Sequence, residues 1–234
     1  MTVHEDLLFL EQYDPTRAVH AYDSPVSRRW QAPGTLATVD DARVYVRLDV
    51  GAQIRGHTEL HALDRATGER RWTHAYDGVR NGWGTAHVQG DYYAVLTGED
   101  KRVRAVRLDA ATGDRRWQTL LGAGVIPQIA TTAETIVVGT ERPSPETPAR
   151  VTVLDRTGER RWDREWPAFY AYPRSAGETV LIGVHHPDDR STTLVACDPT
   201  DGHTRWRTPG ALLGVRDGAA VCYAGGALLV RRLA

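Results

Sequence analysis

Ala62-Leu63-Asp64-Arg65-Ala66-Thr67-Gly68-Glu69-Arg70-Arg71-Trp72 returns along the chain with little change. Its copies are Arg107-Leu108-Asp109-Ala110-Ala111-Thr112-Gly113-Asp114-Arg115-Arg116-Trp117, Val153-Leu154-Asp155-Arg156-Thr157-Gly158-Glu159-Arg160-Arg161-Trp162 and Ala196-Cys197-Asp198-Pro199-Thr200-Asp201-Gly202-His203-Thr204-Arg205-Trp206. A worn fifth copy, Ala21-Tyr22-Asp23-Ser24-Pro25-Val26-Ser27-Arg28-Arg29-Trp30, has lost the glycine. The tryptophans step by 42, 45, 45 and 44 residues, so the pattern is one structural unit repeated in phase.

Each position has a mechanical role. The apolar run before the aspartate is a short strand, and the carboxylate accepts backbone N–H bonds of the turn that follows. Gly68, Gly113, Gly158 and Gly202 supply the positive φ such a turn needs. Trp30, Trp72, Trp117, Trp162 and Trp206 then sit on the returning strand, where a flat ring wedges against the neighbouring repeat. Burying one such ring stabilises by roughly 2–3 kcal/mol, and its indole N–H seeks an acceptor. Asp64, Asp109, Asp155 and Asp198 are read as turn formers. The arginines before each tryptophan (Arg29, Arg71, Arg116, Arg161, Arg205) are read as charge that blocks edge-to-edge pairing of an outer strand.

Two further strand-like runs precede each hairpin. In the first full repeat they are Leu36-Ala37-Thr38-Val39 and Val44-Tyr45-Val46, separated by a turn at Asp40-Asp41. Four short strands per period of about 44 residues, without helical periodicity, predict an all-β propeller of four-stranded antiparallel blades. Five blades are favoured and six are the alternative. The N-terminal hairpin lacks an evident first strand, so the ring is expected to close through the N- and C-terminal strands, with 7–12 and 227–230 competing for one place. The whole chain, 1–234, reads as one propeller domain.

The pattern A-x-D-x-x-T-G-x-x-x-W is similar to the repeat of pyrroloquinoline-quinone enzymes, and it resembles that of the propeller lipoprotein of the outer-membrane β-barrel assembly machine. The resemblance covers nearly the whole chain and implies a fold. The matched residues staple blades together and are not the active site of those enzymes. Quinone dehydrogenases of this kind have eight blades, a vicinal disulfide against the cofactor and export to an oxidising compartment. Here Cys197 and Cys222 are 25 positions apart and about five repeats are present, so no cofactor is expected and pyrroloquinoline quinone least of all.

Formal net charge is −1, with 29 basic and 30 acidic residues, and no basic block stands out. A polyanion-binding or membrane-surface protein usually shows such an excess, so neither nucleic acid nor membrane is expected as a partner. Lys101 is the lone lysine, a bias that points to a GC-rich bacterial genome. The N-terminus is acidic, and its apolar run (Leu7-Leu8-Phe9-Leu10) is too short for a secretory signal, which makes the cytoplasm the expected compartment.

Repeats that agree serve the fold, whereas connections that differ are free for function. The A–B turns and the Asp-Thr-Gly turns, short and uniform, fall on one face of a blade. The B–C and D–A connections are longer and dissimilar, and they fall on the other. On that variable face, around the channel mouth, the D–A segments 77–83 and 165–174 are read as loops. Trp83 and Trp166 stand outside the repeated tryptophan position. With Phe169, Tyr170 and Tyr172 they would form an aromatic rim, and Arg80 and Arg174 would supply cationic donors. Gln128 and His87, on inner strands, complete the candidate set. These rings either line a pocket or plug the hub.

His185-His186-Pro187-Asp188-Asp189 invites a metal reading. Adjacent histidines on a strand point to opposite faces, so His185, His186 and Asp188 are weak ligand candidates and no metal is expected. Arg55, His57 and the proline-rich segment 141–148 are candidates for partner contact. No catalytic triad, phosphate loop, nucleophile elbow or zinc-binding helix can be read. The expectation is a cofactor-free binding or scaffold protein that meets a protein or small-molecule ligand on its variable loop face. The alternative is a lyase, hydrolase or cyclase at the channel mouth, with His87 or Tyr172 as the acid–base group.

Overall fold

The computed structural model describes the chain except residues 1, 5–6, 13–16, 24–26, 51–56, 78, 89, 99, 142–143, 145–146, 187–190, 217 and 234; for 2–4, 77, 79–83, 87, 126 and 216 it describes the backbone alone. Twenty-three strands and no helix make up the regular structure of the described residues, so no helix is long and apolar enough to cross a membrane.

The strands run in chain order through successive meanders. The first is β1 (Thr2–His4), β2 (Leu7–Gln12), β3 (Ala18–Asp23) and β4 (Ser27–Pro33). The second is β5 (Thr35–Val39), β6 (Arg43–Val50), β7 (His57–Asp64) and β8 (Arg70–Asp77). The third comprises β9 (Val79–Val88), β10 (Asp91–Gly98), β11 (Arg102–Asp109) and β12 (Arg115–Ala123). Then come β13 (Val125–Thr131), β14 (Thr135–Glu141), β15 (Ala149–Asp155) and β16 (Arg160–Trp166), followed by β17 (Tyr170–Ala176), β18 (Thr179–His185), β19 (Thr192–Cys197) and β20 (Thr204–Pro209). These last two meanders are joined into one sheet by the single pair Glu141↔Tyr170. A three-stranded sheet of β21 (Ala211–Arg216), β22 (Ala219–Ala224) and β23 (Ala227–Arg232) follows. Neighbouring strands run antiparallel, and each tryptophan hairpin of the sequence supplies the last two strands of one of the five four-stranded meanders.

By internal contacts the chain divides into two compact units. One comprises Met1–Arg80 with Gln89–Tyr92 and Leu108–Arg116; the other comprises Asn81–Val88, Tyr93–Arg107 and Trp117–Ala234. In the first unit the core gathers Leu7, Phe9, Val19, Ala21, Trp30, Val44, Val46 and Leu63. In the second, one core cluster centres on Val137, Val151, Val153, Ala171, Ile182 and Val195, and another on Leu181, Leu194, Ala196, Ala220 and Cys222.

The repeat pattern acts as an interlock. The indole N–H of Trp30 donates to the Arg65 carbonyl at 2.9 Å, that of Trp72 to Ala110 at 3.0 Å, that of Trp117 to Arg156 at 2.8 Å and that of Trp162 to Pro199 at 3.1 Å. Each acceptor lies in the turn of the following meander that runs from the repeated aspartate to the repeated glycine. The turn glycine lies under the ring: a Cβ on Gly113 would fall 2.7 Å from Trp72, and one on Gly68 2.6 Å from Trp30. With φ of +73° at Gly68 and +78° at Gly113, the glycine is required twice, for backbone and for clearance. The aspartate does what its position predicts, since Asp64 Oδ1 accepts from the Ala66 and Thr67 amides and Asp109 Oδ1 from those of Ala111 and Thr112. Trp206 packs on the cluster that holds Ala220 and Cys222 of the last sheet.

Two expectations are corrected. The repeated arginines are not simply edge charge. The strand register slips by one residue beside Trp72, where Leu63 pairs Arg70 but Ala62 pairs Trp72. The same slip occurs at Ala21/Tyr22, Val153/Leu154 and Ala196/Cys197. The bulged residue is the arginine, and the kink turns it back toward the aspartate of its own hairpin. Arg71 meets Asp64 at 2.8 Å, Arg116 meets Asp109 at 2.6 Å, Arg205 meets Asp198 at 2.7 Å, and Arg29 meets Asp23 at 2.5 Å. The termini also pair locally. Thr2–His4 pairs with Leu7–Phe9 and supplies the first strand of the N-terminal sheet, while 227–232 pairs with β22.

Two predictions follow from the interlock. Gly113→Ala should lower unfolding stability by at least about 2 kcal/mol in urea titrations, because left-handed strain and a clash with Trp72 add. Gly90→Ala, also at positive φ (+81°) but with no atom within 4 Å of the new methyl, should show the strain alone. The second concerns acid. The Arg71 hydrogen bond, followed by the turn amides, holds the Asp64 carboxyl down at about 2. A depressed folded-state value means that its contribution is present above the ordinary carboxylate range and is lost as pH falls toward 2. Asp64→Asn should therefore flatten the loss of stability between about pH 4 and pH 2, followed by thermal unfolding.

Candidate functional site

Tyr170 begins β17, His185 ends β18, Thr192 begins β19 and Ala211 begins β21, so these four positions share the end of the meander that carries the B–C and D–A connections. Along β17 the strand alternation sorts the side chains. Ala171 and Pro173 are buried, while Tyr170, Tyr172 and Arg174 lie on the opposite, more open side. The buried side is set by Gly139 on β14: a Cβ there would fall on the Ala171 carbonyl oxygen and 2.5 Å from Pro173 Cδ. A bare backbone at 139 lets β17 approach β14, and that approach presents Tyr170, Tyr172 and Arg174 outward.

On β18, Tyr172 pairs with Gly183, so no side chain fills the space beside the phenol ring. The result is a cavity of about 210 Å³. Tyr170, Tyr172 and Arg174 line it from β17, Gly183 and Thr192 from β18 and β19, and Ala211 and Leu212 from β21. Tyr170 stacks on His185 with ring centres 4.7 Å apart and planes 11° from parallel, and its centre lies 4.2 Å from that of Tyr172. Burial first, then the adjacent Tyr170 phenol and the Glu141 carboxylate, push the Tyr172 hydroxyl up to about 12, against an opposing pull from Arg174. Near neutral pH it is therefore a protonated hydrogen-bond group and a poor acid–base catalyst. Arg174 gives one N–H to the Pro173 carbonyl at 2.9 Å. Among the described residues no carboxylate pairs with it, so the rest of the guanidinium can meet an acceptor.

The structure thus gathers three of the sequence candidates, Tyr170, Tyr172 and Arg174, and places them on a strand where a loop was expected. The D–A connection here is only Pro167-Ala168-Phe169. Trp166 does not join them. It is buried in the core cluster with Val151 and Ala168, under the Arg164 guanidinium at 5.3 Å, as an alternating strand residue facing inward would be. Gln128 sits on β13 opposite Gly139, away from the cavity lining. The segment 77–83, read as a loop, contributes to β9 from Val79 onward; Arg80, Trp83 and His87 lie on that strand, with side chains outside the description.

His185 and His186 diverge as strand geometry requires. His185 faces Tyr170, and His186 Nε2 lies 3.3 Å from Thr193 Oγ1. Asp188 and Arg55 lie outside the described residues, within which no three His, Cys, Asp or Glu side chains converge on a metal position. His57 is engaged by its own strand, since His57 and His61 bracket Glu59 at 3.0 and 2.7 Å. Gly183, Thr192 and Gly139 escaped the sequence reading. The available signal was a glycine interrupting an otherwise apolar strand, as in Thr179–His185 and Thr135–Glu141.

A family model described as outer membrane protein assembly factor BamB matches residues 16–169 and 147–232. The chain belongs to this family of quinoprotein-type repeat propellers. BamB from Moraxella catarrhalis superposes with a TM-score of 0.63 at 17% identity, over 97% of this chain and 70% of that one. A europium-containing methanol dehydrogenase gives 0.60 at 14%, over 90% of this chain and 50% of that one. The Dos1 propeller gives 0.55 at 14%, over 97% and 65%. No curated protein matches the sequence. At such identities the likeness shows the fold, an all-β propeller of four-stranded antiparallel blades. The chain spans only half of the dehydrogenase. Its described cavity has no carboxylate to hold a metal, and Cys197 and Cys222 stand on different strands, so this cavity does not fit a metal-bound quinone.

Gly139→Ala should displace β17 from β14 and cost about 1–3 kcal/mol, the usual range for overpacking. Urea unfolding checks the cost, and aromatic proton shifts of Tyr170 and Tyr172, changed while those of Tyr45 stay in place, check the location.

Proposed function

We propose that this chain is a binding module of the propeller family whose recognition site is the cavity beside β17. Its ligand is a segment of a partner protein. The observation that carries this reading is the pairing of Tyr172 with Gly183: a phenol and a guanidinium face a space that the repeat leaves unfilled. A cavity of about 210 Å³ takes one side chain or a short turn of chain. The two tyrosines offer stacking surface, the protonated Tyr172 hydroxyl offers a donor or acceptor, and Arg174 offers a charged donor fork for a carbonyl or carboxylate. A protein ligand is favoured because the matching family is described as an assembly factor. The variable face, where connections differ from one repeat to the next, suits selection of one partner by such a site.

Gly183 offers a direct test. A Cβ at this position would meet only Tyr172 atoms at 3.9 Å and beyond, ordinary contact, so Gly183→Val fills the cavity without backbone strain. Immobilised wild-type, Gly183→Val and Arg174→Ala chains would be offered the same lysate, and retained proteins quantified. We expect a species held by the wild type and reduced at least tenfold on both variants, with melting temperatures within about 2 °C of the wild type. Equal retention on all three chains would overturn the assignment.

A further inference from the structure

Beside the cavity at β17 stands a second charge, Glu141. On β14 it lies two residues beyond Gly139, so strand alternation puts both on the face that meets β17. Its backbone pairs with Tyr170. The strand is buried from Thr135 to Thr140, and Glu141 is half-buried at the end of that run. Among the described residues no basic group pairs with it, and burial alone moves its carboxyl above the usual carboxylate range. Proteins normally pair a carboxylate that is drawn out of water.

Arg174 is its counterpart at the other end of the tyrosine pair. The Tyr172 hydroxyl senses both groups, since the Glu141 carboxylate raises it and the Arg174 guanidinium opposes that rise. No ion pair joins the two charges, and Arg174 gives one N–H to the Pro173 carbonyl at 2.9 Å. Tyr170, Tyr172 and Arg174 are successive residues on one side of β17. At about 3.3 Å per residue they span roughly 13 Å. An anion therefore stands at the first position, the cavity opposite Gly183 at the second and a cation at the third. All of these residues belong to the second compact unit.

We propose, on the reading that this cavity is the recognition site, that its ligand is an extended segment with a basic, an apolar and an acidic residue at alternating positions. The basic residue meets Glu141, the apolar one enters the cavity and the acidic one meets Arg174. An extended chain lying along β17 repeats with the same period of two, so each of its like-facing side chains reaches one of the three positions. Tyr170 and Tyr172, with ring centres 4.2 Å apart, add aromatic faces that attract a cation held at Glu141. The paired charges supply selectivity, because a segment with either sign exchanged meets a like charge at one end.

The test titrates the whole chain with acetylated, amidated peptides and follows the aromatic proton shifts of Tyr170 and Tyr172. The mixed peptides are Lys-Thr-Leu-Thr-Glu and its reverse, because the segment can run in either direction along β17; the controls are Lys-Thr-Leu-Thr-Lys and Glu-Thr-Leu-Thr-Glu. The better mixed peptide should bind about fivefold more tightly than either control, the scale of one exposed ion pair. Arg174→Glu should make the two-lysine peptide the tightest. Glu141→Gln should remove the advantage of the mixed peptide over the two-glutamate one, and melting temperatures check that both variants fold. Equal affinities for mixed and like-charged peptides, or a preference that ignores both substitutions, would overturn the charge order. If Gly183→Val still weakened every peptide in that case, the cavity would stand as the recognition site without it. Absence of shifts with every peptide at millimolar concentration would also overturn the proposal, and retention of lysate proteins on wild-type and Gly183→Val chains decides the cavity separately.

Discussion

An indole ring seated on a left-handed glycine is the contact on which the rest of the structure depends. It works only if three things coincide. The turn must reverse tightly enough to present its glycine flat, which the aspartate secures by accepting the turn amides. Nothing may project from the glycine, which the missing Cβ secures. The ring must reach it, which the bulge beside Trp30, Trp72 and Trp162 secures by changing the pitch of the returning strand. The carbonyl next to the turn then takes the indole N–H, so a large apolar ring is buried without stranding its polar atom. Removing any one of these leaves either a clash or an unpaired donor. That interdependence explains why the motif varies so little among the repeats while the strands on either side drift freely among Val, Ile, Leu, Ala and Thr.

The bulge shows how one local irregularity serves two ends. By placing two residues opposite one, it offsets the tryptophan and swings the preceding arginine toward the aspartate of the same hairpin. The ion pairs that result are exposed on one side and contribute modestly to stability. Their greater effect is on geometry, because a carboxylate held by turn amides and a guanidinium together has little freedom, and the turn it anchors is the seat for a neighbouring ring.

The repeat was legible because it is mechanical. Tryptophan spacing, the aspartate and the glycine each answer a steric or hydrogen-bonding demand that can be worked out without coordinates. The arginine was misread because its partner lies six or seven residues back, and only the register slip brings the two together. The site was half legible. Tyr170, Tyr172 and Arg174 could be singled out as aromatic and cationic residues that the repeat does not use. Trp166 met the same criterion and proved to be core, because composition alone does not reveal strand phase: the inward and outward members of an alternating run are the same residue types until one pairing is known. Gly183 was invisible for a related reason. A glycine inside a strand signals a close approach or a gap, and only the cross-strand partner decides which; Gly139 turned out to be the first and Gly183 the second.

The cavity beside β17 arises from a general property of repeats. A repeat architecture buries each unit against its neighbours, so surface for recognition becomes available only where the repetition is interrupted. At β17 and β18 the interruption is a single side chain, replaced by hydrogen opposite Tyr172. The interruption keeps the surrounding register intact: Gly183 still pairs with Tyr172. Preserved register means preserved geometry, so the ligand proposed for this cavity would meet a surface whose shape is held by the interlocked sheets, with little ordering cost on binding. A scaffold of this kind can gain a binding site by losing a part, provided the part lost is not one that carries a ring.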